Sequence, residues 1–456
     1  MVSQASEETS PQSSGLSARV TGRITTPVRW PRARWLRILG VALLVGVYCA
    51  LWNVVARFPI DRNDLDAFFV PAARIVLSGH PFDAYSLLYL DLYPNANGPL
   101  SLAPLTVATA VASWQGVLAD MTLRRVVMMT LFAPFVLLMA REAVVAIDRL
   151  RGERLRGWAR LIVYAVFALS PEVWHSMLFY GHVEQPIMLW LALWGIRQLV
   201  ARRPARAGLL LGLALLTRSS ALLLALPLAA LLARDRDWRA LWRFGAALVG
   251  TMAAVLLPFA IADGRDLLYS LVTFHGRLPV GGGSFWGLTL GTPLEAFARQ
   301  YDSATVLVVA ALLSVIVVLW RRDLTLASPA LYLLLALSSL CFPLLLKTLW
   351  PYYFLEPFTF LAIGWFAAAP SLGDRLRVWL RWGLALLLPA MTVGFAAMRE
   401  VGITMDQTRG ESRSLTLALT IMLALTMATI LWLLLARFPS RRKSTAPPLA
   451  YADTTS

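Results

Sequence analysis

The chain is poor in the residues that build most metal and redox sites. It has two cysteines and four histidines among 456 residues. Cys49 and Cys341 both lie within apolar runs, so there is no disulfide framework and no zinc-ligand spacing. No Walker loop, dinucleotide glycine fingerprint or HExxH occurs, and the sequence calls for no cofactor and no metal. Charged residues make up only 15% of the chain, against about a quarter in ordinary soluble domains. That scarcity excludes a string of soluble domains. Residues 1–34 lack the short apolar core and small-residue cleavage site of a signal peptide.

What is present is apolar surface. The chain is 58% hydrophobic, with a mean hydropathy of +0.64. Apolar runs close to twenty residues long recur throughout, the length that crosses a bilayer as a helix. The expected class is an all-α polytopic membrane protein. The net charge of +16 does not point to nucleic acid, because the arginines cluster in short segments between apolar runs, where positive charge sets orientation.

The expected organisation is a disordered cytoplasmic tail over 1–34, a transmembrane domain over 35–437 and a second cytoplasmic tail over 438–456. The first span is expected near 35–57, after the basic run Arg19 to Arg37. The segment 58–124 then forms the first external loop and carries juxtamembrane helices. The stretch 98–118 is apolar enough to span. If it did, the arginine-rich loops at 149–160, 202–206 and 234–243 would face outward, so it is expected to dip in or lie along the surface. Further spans are expected at about 125–147, 159–175, 184–200, 241–263, 304–320, 328–346, 351–369, 378–397 and 414–436. Between 207 and 233 both flanks are basic, so the chain is expected to form a hairpin of two short helices turning at Thr217-Arg218-Ser219-Ser220. Its first arm, over 207–216, would cover about 15 Å, placing the turn at membrane depth. Counting the hairpin as two gives about twelve helices, both termini cytoplasmic, and most of the 42 Lys and Arg on that side. His80, His175, His182 and His275 then all fall outside, as do Asp61, Asp64, Asp66, Asp83 and Asp91.

Several constellations could carry chemistry. Asp64 and Asp66 stand two apart in DLD, before an apolar run from Phe68 to Leu77. A carboxylate there can take a proton from an attacking hydroxyl or simply cap the following helix. Arg218 is an arginine at membrane depth, which marks function by default. No carboxylate is near it in sequence. A lipid phosphate suits its guanidinium fork, and internal pairing is the plainer alternative. His275 lies in TFHGRLPVGGGSFWG with Arg277, Ser284 and Trp286, where an aromatic could stack on a sugar and the glycines allow close backbone approach. The same glycines also fit a plain flexible loop. His182 and Glu184 open a span from the outer side and serve equally as capping or polar packing. Lys347, Trp350 and Tyr352 sit at a span junction, where aromatic anchors are expected.

Four stretches together resemble the GT-C membrane glycosyltransferases, in particular the polyprenyl-phosphate-mannose-dependent α-mannosyltransferases of glycosyltransferase family 87. They are DLDAFFVPAARIVLSGHPFDAY, LYPNANGPLSLAPL, ARAGLLLGLALLTRSSALLLALPLAALL and FHGRLPVGGGSFWG. The resemblance covers about residues 35–370. It departs from the family pattern at Arg218, where lysine is commoner, at Gly181-His182, and at the glycines before Ser284. It implies a GT-C fold and an inverting transfer of a sugar, mannose by this resemblance, from a polyprenyl-phosphate donor. The acceptor would be a lipid-linked or cell-envelope glycan on the extracytoplasmic side of the cell membrane. It implies Asp66 as catalytic base with Asp64 as the alternative, Arg218 at the donor phosphate, and His275 near the donor. Arg277, His182, Glu184 and Trp286 join these as candidates for donor or acceptor binding. A rival reading is a transporter or flippase of a lipid-linked substrate, since broken helices with an intramembrane charge are also a transporter trait.

Overall fold

Apolar periodicity dominates the chain, and the structure is helical throughout its described part. It is a computed structural model that describes residues 63–89, 94–155, 157–281, 284–368 and 413–435. The expected spans at 35–57 and 378–397, both tails, Asp61 and Asp91 lie outside the described residues. Among the described residues there is no strand.

After a π-helical turn over Leu65–Phe69, helix α1 runs over Val70–Leu77. The stretch expected to lie along the surface forms a 3₁₀ turn, Pro99–Ser101, and α2, Leu102–Trp114. At 1.5 Å per residue α2 is about 20 Å long, too short to cross. The first described helix of crossing length is α3, Met121–Arg151, N-capped by Asp120, whose side chain accepts from the Leu123 amide at 2.9 Å. Helix α4, Gly157–Ala168, breaks before Pro171 and resumes as α5, Pro171–His175, and a second π turn, Ser176–Tyr180. Proline lacks the amide that would continue the ladder, so the break falls where the sequence places it.

Helix α6 is Gln185–Val200. The hairpin follows as α7, Pro204–Thr217, and α8, Leu222–Arg234, with Arg218 in extended backbone at its tip. Its first arm is longer than expected, about 21 Å at 1.5 Å per residue, because Pro204 starts the helix three residues earlier. Helix α9, Trp238–Leu268, is non-helical at Asp263 and leads through a third π turn, Tyr269–Thr273, into α10, Phe274–Arg277. Helices α11, Pro293–Trp320, α12, Pro329–Leu345, α13, Leu355–Ala368, and α14, Arg413–Leu435, complete the described set. The segments Met121–Arg151, Gly157–Tyr180, Trp238–Arg277 and Pro293–Trp320 are long and apolar enough to cross a membrane. Along α11 the exposed Val308, Leu312, Ile316 and Leu319 form a stripe at helical spacing. In water such a stripe would be unfavourable; facing lipid it is the solvent-matched surface.

Close packing of α7 on α9 rests on two glycines four apart. A Cβ on Gly208 would come within 2.1 Å of the Phe244 carbonyl oxygen, and one on Gly212 within 2.9 Å of that of Leu248. Small residues let the two backbones approach, the usual solution where lipid supplies no hydrophobic drive between helices.

Arginines gather the helix ends predicted to be cytoplasmic. Arg151 donates to the Phe366 carbonyl at 3.1 Å, and Arg197 pairs with buried Glu142 at 2.8 Å. Arg234 donates to the carbonyls of Arg321 and Leu324 at 2.9 and 2.7 Å. Arg321 reaches that of Leu434 at 2.8 Å. These carbonyls belong to helix ends or the turns after them, where the helical ladder leaves acceptors free. The arginines at these helix ends therefore do structural work.

Candidate functional site

The site starts from a pair of backbone constraints. A π turn leaves carbonyls outside the regular ladder, and Asn63 donates to two of them, Leu178 at 3.3 Å and Phe179 at 3.2 Å. Gly181 closes that turn in the left-handed region at φ 78°. A Cβ on it would lie 2.5 Å from the Leu65 amide nitrogen. Glycine alone meets both demands. The result clamps the chain at 63–65 onto the chain at 178–182 and sets Asp64 beside His182.

From there a polar chain runs inward. His182 Nε2 is 3.0 Å from Asp64 Oδ2, and its Nδ1 is 2.7 Å from Glu184 Oε1. Arg218, at the hairpin tip, donates from Nη1 to the same Glu184 oxygen at 2.7 Å, and its Nε lies 3.3 Å from Glu356 Oε1. Ser220 donates to Glu356 at 2.8 Å. The guanidinium carbon sits 5.4 Å from the Tyr352 ring centre, a cation–π distance, and the His182 ring lies 3.8 Å from the same ring, centre to centre. Burial disfavours the His182 imidazolium, but the Glu184 carboxylate and the hydrogen bond to Asp64 outweigh it and hold the group above its ordinary value.

These groups border a cavity of about 230 Å³. Asp64, His182, Arg218 and Tyr352 form one side of it in composition; His275, Asp302, Lys347 and Thr348 add a second polar set, and Phe68, Phe274, Phe342 and Trp350 supply apolar and aromatic surface. Lys347 is fixed by its amide donating to Asp302 at 3.1 Å and by Nζ donating to the Arg299 carbonyl at 3.0 Å. Burial pushes its ammonium down from the ordinary lysine value, with Asp302 opposing. Each π turn ends beside a lining residue: Phe68 lies within the first, His182 follows the second, and Phe274 and His275 follow the third. Such turns recur at functional sites because they displace side chains from regular helical register.

The candidates sort clearly. Asp64, His182, Arg218 and His275 line the cavity. Glu184 is fully buried behind His182. Asp66 does not line it: its carboxylate accepts from Arg124 and, at 2.5 Å, from Arg125, and both partners are buried. The expected order of the two aspartates therefore reverses on geometry, since alternate residues on the π turn point to different sides. Asp64 holds the N-cap position without a side-chain cap bond, and Asp66 accepts from the Asn63 amide at 3.5 Å, at the start of the turn. Arg277 is absent from the lining and packs over the Tyr269 ring at 4.8 Å. Trp286 is buried, its indole donating to the Leu345 carbonyl at 2.5 Å, so it supports a wall instead of offering a stacking face. Ser284 is spent on the turn, accepting from the Gly287 amide at 3.2 Å.

Arg218 has the carboxylate partners its sequence neighbourhood lacked, Glu184 and Glu356. Glu356 was legible as an ionisable residue inside an expected span, a signal of function in itself. Asp302 carried no such flag, because α11 begins eleven residues before the expected span and takes it into the helix. Among the described residues no group of three or more His, Cys, Asp or Glu is arranged to hold a metal ion. Compared with known proteins, the chain matches no family model and no curated protein sequence.

Proposed function

We propose that this cavity transfers a sugar from a polyprenyl-phosphate donor to a hydroxyl of a lipid-linked or cell-envelope glycan, on the extracytoplasmic side and with inversion. Mannose is the sugar favoured by the resemblance. The GT-C fold and the full set of about twelve membrane helices belong to the same proposal. The observation that carries it is the meeting of an accessible carboxylate and a buried guanidinium in one cavity: Asp64, with 38% of its side chain exposed, and Arg218, with 10%. In this reading Asp64, not Asp66, takes the acceptor proton as the new glycosidic bond forms. The bond from the anomeric carbon to the phosphate oxygen breaks, and its electron pair leaves on the phosphate. Arg218 and Lys347 are the cations that face that charge. Arg218 keeps Nη2 without a partner among the described residues, so one edge of the fork remains available to a phosphate oxygen.

Depth supports an enzyme at one face over a transporter. From Arg218 to Arg234 the hairpin's return arm rises about 24 Å, and from Asp302 to Arg321 helix α11 covers about 28 Å. Taken with the first arm of about 21 Å, the hairpin tip lies past the midplane of a hydrocarbon core about 30 Å thick, on the side away from the basic helix ends. Transporters place their substrate near the midplane.

The test is transfer of labelled mannose from polyprenyl phosphate to a glycolipid extract by the purified protein. Asp64→Asn is expected to lower the rate about 10²- to 10⁴-fold, the range for a lost general base. Full transfer by that variant would remove Asp64 from the mechanism, and no transfer by the wild type would end the reading.

A further inference from the structure

The strongest unassigned feature is the pair of groups standing between the base and the arginine. His182 offers both ring nitrogens to carboxylates, 3.0 Å to Asp64 and 2.7 Å to Glu184. A neutral imidazole has one N–H and so can donate to only one of them; the doubly protonated imidazolium, with a single positive charge, can donate to both. Two short contacts to two carboxylates fit the imidazolium, with a proton on each nitrogen. The ring is buried, Glu184 is fully buried, and Tyr352 covers one face. Phe69 meets the ring edge-on at 6.2 Å. The charged groups that face it are Asp64 and Glu184, with Arg218 Nη1 3.3 Å from Nδ1 and Glu356 beyond the guanidinium. Two carboxylates beside it and a third beyond Arg218 outweigh that single cation.

We propose that His182 is a positioning residue: held as a cation by Glu184, it anchors Asp64 Oδ2 and leaves Oδ1 free to accept the acceptor's proton. The proposal rests on the glycosyl-transfer reading. Asp64 Oδ1 has no partner among the described residues, and an anchored carboxylate presents one lone-pair direction to the cavity instead of rotating through many. The same chain, Asp64–His182–Glu184–Arg218, joins the proton-accepting oxygen to the cation facing the phosphate. Proton arrival at one end and charge departure at the other are then coupled through one line of close polar contacts. Glutamine at 182 keeps a donor but no charge, and glutamine at 184 removes the charge that retains the proton.

Two measurements on the purified full chain separate the possibilities. The first is an NMR titration of isotope-labelled histidine, with His182→Gln used to assign the signal. One imidazole is expected to titrate above free histidine, and Glu184→Gln is expected to lower its proton affinity by about tenfold, one pKa unit. A His182 signal titrating at or below free histidine overturns the proposal, whatever the activity. The second is the pH profile of transfer from polyprenyl-phosphate mannose. His182→Gln is expected to lower kcat about 100-fold, the order of loss for a misplaced catalytic group, with KM for the donor near wild type and the alkaline limb of the profile gone. A wild-type kcat and profile in that variant also overturns it. If the wild-type protein moves no sugar, the glycosyl-transfer reading fails, and the titration alone then decides whether His182 is a clamped cation.

Discussion

Asp66 lies between two guanidinium groups, with Oδ2 2.5 Å from Arg125 Nη2 and only 3% of its side chain exposed. Arg124 completes the cluster and also donates to the Leu118 carbonyl at 2.6 Å. This ties the first helical turn after Asp64 to the start of α3. Removing one partner of a buried ion cluster leaves uncompensated charge, which costs about 3–5 kcal/mol. Asp66→Asn is therefore expected to lower the thermal melting point in detergent sharply, while Asp64→Asn, at a half-exposed position, melts close to wild type. If the stability losses came out the other way round, the roles given to the two aspartates would have to be exchanged.

Gly98 carries no positive φ, yet it is as demanding as any glycine among the described residues. A Cβ there would come within 1.9 Å of the Leu216 carbonyl oxygen, next to the hairpin tip. Gly98→Ala is expected to push the segment bearing Asn97 away from the cavity and to destabilise the fold. Gly208→Ala, which meets the Phe244 oxygen at 2.1 Å, should separate α7 from α9. Gly245→Ala is the control: nothing lies within 4 Å of its Cβ, and alanine in place of a mid-helix glycine should stabilise by about 0.5–1 kcal/mol. Melting curves of the three variants check the ordering.

Stability should also depend on pH through His182. Its folded-state value is raised, because the Glu184 carboxylate and the Asp64 hydrogen bond overcome the opposing effect of burial. A raised value means the contribution is complete below the ordinary histidine pKa of about 6.5 and is lost as pH rises through the higher folded value. The wild-type melting point is expected to fall across that window, and the His182→Gln variant to fall less. Equal slopes would show that another group governs the change.

Sidedness can be read directly. Leu88 is 90% exposed in the loop after α1, and Arg236 is exposed in the turn between α8 and α9. In a background without Cys49 and Cys341, Leu88→Cys is expected to react with an impermeant maleimide in intact cells, and Arg236→Cys only after lysis. Labelling of both in intact cells would reject the proposed orientation.

Much of the architecture could be read from the residues alone. The hairpin at Arg218 followed from basic flanks on both sides of a run too short to cross twice. The expectation that 98–118 does not span followed from where the arginine-rich loops would otherwise fall, and the helix there, α2, is 13 residues long. Both arguments rest on the cost of charge and of backbone in hydrocarbon, which composition reports locally. The partners of Arg218 could not be read this way. Glu184 and Glu356 are 34 residues before it and 138 after it, and only the packing of α6 and α13 against the hairpin brings them together.

The sequence by itself determined the class of molecule and the approximate helix limits, because hydropathy acts residue by residue. Tertiary structure alone decided which of two aspartates, two residues apart, meets the cavity. That choice depends on side-chain direction along a π turn and on the Asn63 and Gly181 contacts that fix it, and both are set by segments more than a hundred residues away.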